Sequence, residues 1–162
     1  MGMTFDEISK QKFAGNILIV GDPATGKSRL SDMLSHNHPG HEIIHTDVFM
    51  DNGYEKGLYD IMQAIKNSDK PTLVEGVQGF RLLRKGLQQD SPVKYNPDNV
   101  IHLHSPKSSI QKAYETDYKR LGKDTSKLDN LAKANITILE DYRKLNNHNR
   151  IPPVWYDVDN AY

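Results

Sequence analysis

Eight residues near the start of the chain, GDPATGKS from Gly21 to Ser28, have the G-x-x-x-x-G-K-[ST] spacing of a phosphate-binding loop. Gly21 and Gly26 bracket a turn whose backbone N–H groups can curl around phosphate oxygens. Asp22, Pro23, Ala24 and Thr25 form its body and Arg29 follows it. Lys27 is placed to reach the β- and γ-phosphates of a nucleotide, and the Ser28 hydroxyl to sit on Mg²⁺. The apolar run Asn16 to Val20 enters the loop as a strand. SRLSDMLS leaves it as a helix whose positive dipole end faces the phosphates. The expected ligands are therefore ATP and Mg²⁺; a bland glycine-rich turn is the alternative.

Two carboxylates stand where they could serve that loop. Asp47 follows a short strand in HEIIHTDVF, and Glu75 ends another in TLVEGVQGF. A carboxylate beside ATP and Mg²⁺ can orient metal-bound water or accept the proton of an attacking hydroxyl. The structural alternatives are a helix N-cap or turn residue for Asp47 and a satisfied strand-end carboxylate for Glu75. Seven histidines suggest a metal, but His36, His38 and His41 lie in a turn-rich stretch without a completing Cys or carboxylate and read as surface residues. His102 and His104 share one face of a strand, and His104 is the one expected near the site.

The elements that must position these residues alternate. The second strand ends at Asp47. Tyr54, Leu58, Ile61 and Ile65 then mark one face of a helix. Pro71 to Glu75 is a third strand, and Phe80, Leu83 and Leu87 a short helix. Asp90 to Asn99 is a loop, and Val100 to His104 a fourth strand. Ile110, Tyr114 and Leu121 give a further helix, broken at Gly122. A longer one begins near Ser126 with Leu128, Leu131, Ile138, Tyr142 and Leu145 buried and Asn135 interrupting the stripe. VWYDV is a fifth strand. Residues 1–13 carry Phe5, Ile8 and Phe13, enough for a short helix or an arm docked on the sheet. The expected fold is α/β: one domain over residues 1–162, with about five parallel strands covered on both faces by helices. Ligands in such a sheet bind outside the carboxyl ends of the strands, where Gly21, Asp47, Glu75 and His104 fall.

Composition narrows the classes. Twenty-one basic residues balance 21 acidic ones, so no global field draws the chain to nucleic acid or acidic lipid. With no cysteine there is no disulfide, thiolate metal site or cysteine nucleophile. No apolar run approaches a membrane span and the first residues lack a signal pattern, so the expectation is a cytoplasmic protein without a membrane partner.

GDPATGKS, TDVF and LVEGV together resemble the small P-loop kinases, and among them most the uridine kinase and phosphoribulokinase type. The likeness covers the first half of the chain well and the second in outline. It implies a phosphotransferase acting on an alcohol group, in which Asp47 contacts the acceptor hydroxyl as general base and Glu75 lies near metal and acceptor. Phosphoryl transfer also calls for positive charge closing over the transferred group. Residues 107–127 are the candidate lid, with Arg120 its first choice beside Lys119 and Lys123, although cations at a helix end need no function. The implied acceptor is a nucleoside- or nucleotide-like hydroxyl. One branch of such kinases, found in bacteriophages, phosphorylates 5-hydroxymethyluracil within DNA, and the cluster Arg81, Arg84, Lys85 could track a phosphate backbone; the setting would then be the host cytoplasm. The alternative from another class is an ATPase or nucleotide switch, since GDPATGKS also suits an AAA-type loop.

Overall fold

The computed structural model describes residues 2–23, 25–106, 116, 119–122 and 126–160, the first four residues of the last helix by backbone alone. Its centre is a six-stranded, wholly parallel sheet. The strands are β1 (Met3–Thr4), β2 (Ile17–Gly21), β3 (Glu42–His45), β4 (Thr72–Glu75), β5 (Asn99–His104) and β6 (Val154–Asp159), in spatial order β1-β6-β5-β2-β4-β3. The five strands expected from sequence are β2 to β6. The sixth comes from the N-terminal arm, whose two-residue β1 pairs with β6 through Met3–Val158 and Thr4–Asp159.

Strand β2 explains both layers. It is buried along its whole length, and its side chains alternate between two cores. Leu18 and Val20 join Val74 and Val100 on the face covered by α3 (Tyr54–Asn67), α4 (Gly79–Leu87) and α5 (Ser126–Asn146), which contribute Ile61, Phe80, Leu82, Ile138 and Tyr142. Ile17 and Ile19 join Leu73, Ile101 and Leu103 on the face covered by α1 (Phe5–Ser9) and α2 (Lys27–Asn37), through Ile8, Leu30 and Leu34. Two packed faces on one apolar strand make β2 the fixed point from which the phosphate-binding sequence projects.

Two expectations are corrected. Tyr54 does not continue the buried stripe of α3; its side chain is exposed at the helix start, while Leu58, Ile61 and Met62 go inward. His38 is not a surface residue. Its Nε2 accepts the Phe13 backbone N–H at 2.9 Å and its Nδ1 lies 2.7 Å from the Leu34 carbonyl, so the buried ring clips the N-terminal arm to the end of α2.

Candidate active site

Parallel strands put all their carboxyl ends on one edge, and the chain reverses direction across the sheet at β2, which lies between β4 and β5. A crevice forms at such a reversal. Residues 21–26 span it. Gly26 takes φ 96°, a left-handed conformation that glycine adopts without strain, and turns the chain into α2. No side chain caps the N-terminus of α2, and its first turn holds no acidic residue. Its leading N–H groups and positive dipole end are thus left for an external anion.

Lys27 lies folded back inside this loop. Its Nζ donates to the Asp22 carbonyl at 2.7 Å and to Thr25 Oγ1 at 3.4 Å, and Thr25 Oγ1 donates to the same carbonyl at 2.9 Å. The lysine is only 6% exposed. Desolvation lowers its pKa to about 8, against the pull of the charges on Glu75, Asp22 and Asp47, which act to raise it.

Glu75, at the end of β4, is buried, and its Oε1 lies 2.6 Å from His45 Nδ1 and 3.5 Å from Ser28 Oγ. Asp47 lies in the first turn of a 3-10 helix, Thr46–Asn52, that leaves β3, and is exposed. Gly76 follows Glu75 with φ 151°, and a Cβ there would fall on the Thr46 hydroxyl. The glycine of LVEGV thus lets β4 turn away directly against the β3 exit. Beside this turn, the buried Thr46 Oγ1 and Gln78 Oε1 have no hydrogen-bond partner among the described residues. A polar ligand or water would satisfy both. The donor set fits Mg·nucleotide: Ser28 and Glu75 offer the hard oxygens Mg²⁺ prefers, at a spacing close to the roughly 3 Å edge of an octahedral site.

Gly21, Asp22, Pro23, Thr25, Gly26, Lys27, Ser28, Asp47 and Glu75 are brought to this edge. Ala24 lies outside the described residues. Arg29 turns the other way, its guanidinium 4.9 Å from the Phe5 ring of the N-terminal arm. Of the 107–127 stretch, Thr116, Lys119, Arg120, Leu121 and Gly122 are described, all exposed; Lys123 is outside the described residues. Four participants were not anticipated. His45 is the partner of Glu75. Asn135 donates to Asp22 Oδ1 at 3.2 Å, Asn160 donates to the Thr25 carbonyl at 2.9 Å, and Gln78 is buried beside Gly76. Only Asn135 left a signal, as the polar break in the apolar stripe of α5.

Between α3 and α4 runs an open groove of about 450 Å³ lined by Tyr54, Tyr59, Glu55, Arg81, Arg84 and Lys85. The Arg81 guanidinium lies 4.9 Å from the Tyr54 ring, and Arg84 Nη1 pairs with Asp141 of α5 at 3.1 Å. The basic cluster read from sequence is thus one wall of a cavity with aromatic residues opposite.

Among solved structures, a gluconokinase from Sinorhizobium meliloti 1021 aligns over 91% of this chain and 84% of its own, at 15% identity and TM-score 0.51. A candidate kinase from Chloroflexus aurantiacus j-10-fl aligns over 93% and 90%, at 18% identity and TM-score 0.55. The chain has the fold of the small P-loop kinases. No protein-family model matches the sequence, and no curated protein matches it. At these identities the likeness establishes architecture, and function has to be argued from the site.

Proposed function

We propose that the chain is an ATP- and Mg²⁺-dependent kinase that transfers the γ-phosphoryl group to a hydroxyl of a nucleoside- or nucleotide-like acceptor. The observation that carries this reading is a buried Lys27 folded into the glycine-bounded loop at an uncapped helix N-terminus, with Glu75 Oε1 3.5 Å from Ser28 Oγ. Bound Mg·ATP supplies the phosphoryl group and the metal charge that offsets its oxygens. The backbone N–H groups of residues 21–28 bind phosphate, and Lys27 neutralises it. Ser28 Oγ and Glu75 would hold Mg²⁺, with His45 fixing the Glu75 carboxylate. Asn135 and Asn160 brace the loop at Asp22 and Thr25, so the donors are set before the ligand arrives. Asp47, exposed at the start of its 3-10 helix, can approach the acceptor and take the hydroxyl proton on its carboxylate. Arg120 and Lys119, from the 107–127 stretch, would close over the phosphates and exclude water.

The groove between α3 and α4 supports the acceptor class. Tyrosine rings suit a planar base, and Arg81, Arg84 and Lys85 suit a phosphate beside it. Its open shape would also admit a strand, so DNA carrying 5-hydroxymethyluracil belongs among the acceptors tested. The test is transfer of labelled γ-phosphate from Mg·ATP to a panel: no acceptor, nucleosides, nucleoside monophosphates, DNA with and without hydroxymethylated pyrimidines, and sugars and hydroxy acids. Label in the nucleoside, nucleotide or DNA tubes supports the proposal and selects within it. Label in sugars or hydroxy acids alone keeps the kinase and overturns the acceptor. Equal phosphate release in every tube without a labelled product would mean an ATPase.

A further inference from the structure

On the face covered by α4 and α5, at the carboxyl ends of β5 and β6, two histidines and a carboxylate meet. His102 and His104 stand two apart on β5, and the parallel register sets Asp157 of β6 opposite His102. One donor atom from each of His102, His104 and Asp157 lies within 4.8 Å of the other two. His104 Nε2 is 2.8 Å from Asp157 Oδ1, and His102 Nδ1 is 3.7 Å from it. The imidazole rings are 3.9 Å apart. Trp155 Nε1 donates to Asp157 Oδ1 at 3.2 Å, and the Trp155 and Phe80 rings wall His102 in.

A hydrogen-bonded His104–Asp157 pair accounts for only part of this. His102 is 9% exposed, and its Nδ1 is buried without a hydrogen-bond partner on the side facing the other two groups. An orphaned buried nitrogen is a desolvation cost with no return, which a cation drawing on its lone pair would remove. The geometry points to a second metal centre: a borderline divalent transition ion of the Zn²⁺ or Co²⁺ kind, held by His102 Nδ1, His104 Nε2 and Asp157 Oδ1.

The chemistry of the donors sets the class. Two imidazoles and one carboxylate suit Zn²⁺ and its neighbours, whereas Mg²⁺ takes oxygen. The Ser28–Glu75 oxygens and this nitrogen-rich cluster would therefore select different ions in one chain. Tetrahedral ligands at zinc bond lengths lie about 3.3 Å apart, between the 2.8 and 3.7 Å that separate Asp157 Oδ1 from the two histidine nitrogens. His104 and Asp157 are partly open to solvent, leaving an outward position for water. The site would also pin the strand ends that support the phosphate loop. The Asn160 N–H donates to the His104 carbonyl at 2.7 Å, and its side chain holds Thr25.

The test uses the full chain, stripped with a chelator and titrated with Co²⁺ without nucleotide. Visible d–d absorption and the fluorescence of Trp155, the sole tryptophan, are read together. The expected result is one equivalent of Co²⁺ with the intense bands of low coordination number and quenching of Trp155, displaced by Zn²⁺ and indifferent to excess Mg²⁺. His104→Ala and Asp157→Ala, both at partly exposed side chains, should each weaken Co²⁺ binding at least tenfold while metal-free circular dichroism is unchanged. No d–d bands at millimolar Co²⁺, or binding that survives either substitution undiminished, overturns the site.

Discussion

Replacing Lys27 by Met should make the protein more stable while making it useless for nucleotide binding. The ammonium is buried, and the fall of its pKa from 10.5 to about 8 means that the fold disfavours the charged form by about 3 kcal/mol, at about 1.4 kcal/mol per pKa unit. Below pH 8 folded and unfolded chains are both protonated, and the cost is carried in full. Between pH 8 and 10.5 the folded chain has released a proton that the unfolded chain still holds, so stability rises with pH and the cost is relieved. Lys27→Met keeps the apolar stem and removes the charge. The Asp22 carbonyl keeps its bond from Thr25 Oγ1, so no buried acceptor is orphaned. Losing the attraction to Glu75, Asp22 and Asp47 is already contained in the net pKa change. Allowing for local rearrangement, the gain at pH ~7 is about 1–3 kcal/mol, or a rise of roughly 1 M in the urea midpoint at an m-value of about 2 kcal/mol/M. It should shrink towards zero by pH ~10. Urea unfolding followed by circular dichroism across that range measures it, and calorimetry with Mg·ATP shows the lost binding. A variant less stable than wild type at pH ~7, or a stability gap that does not change with pH, would refute the reasoning.

Asp47→Asn preserves shape and deletes the base, so transfer should fall by about 10²–10⁴-fold while Mg·ATP affinity stays within about twofold. Unchanged turnover would leave Asp47 as an acidic residue complementing the dipole of its 3-10 helix. Gly76→Ala should destabilise by about 2–4 kcal/mol, because the methyl meets the Thr46 hydroxyl and φ 151° suits glycine. Thermal unfolding should show a drop of roughly 5–15 °C, and a drop under about 2 °C would mean that the β3 and β4 exits are not locked together.

The sequence by itself determined the parts whose physics is local. An apolar run, a turn bracketed by Gly21 and Gly26, and a helix start are written in consecutive residues, because backbone conformation and phosphate-directed N–H groups depend on neighbours along the chain. The alternation of strands and helices fixed a parallel sheet, and with it the edge at which Glu75 and Asp47 emerge. Strand order, and every partner reached across it, was decided by tertiary structure. His45 and Glu75 are thirty residues apart and meet through the β3·β4 register; Asn135 reaches Asp22 from α5, more than a hundred residues on in the chain. His38 read as surface because its burial depends on an arm that crosses to meet it. The pairing of His102 and His104 with Asp157 was hidden for the same reason. Period two places the histidines on one face, but only the β5·β6 register, a long-range packing outcome, brings the carboxylate beside them.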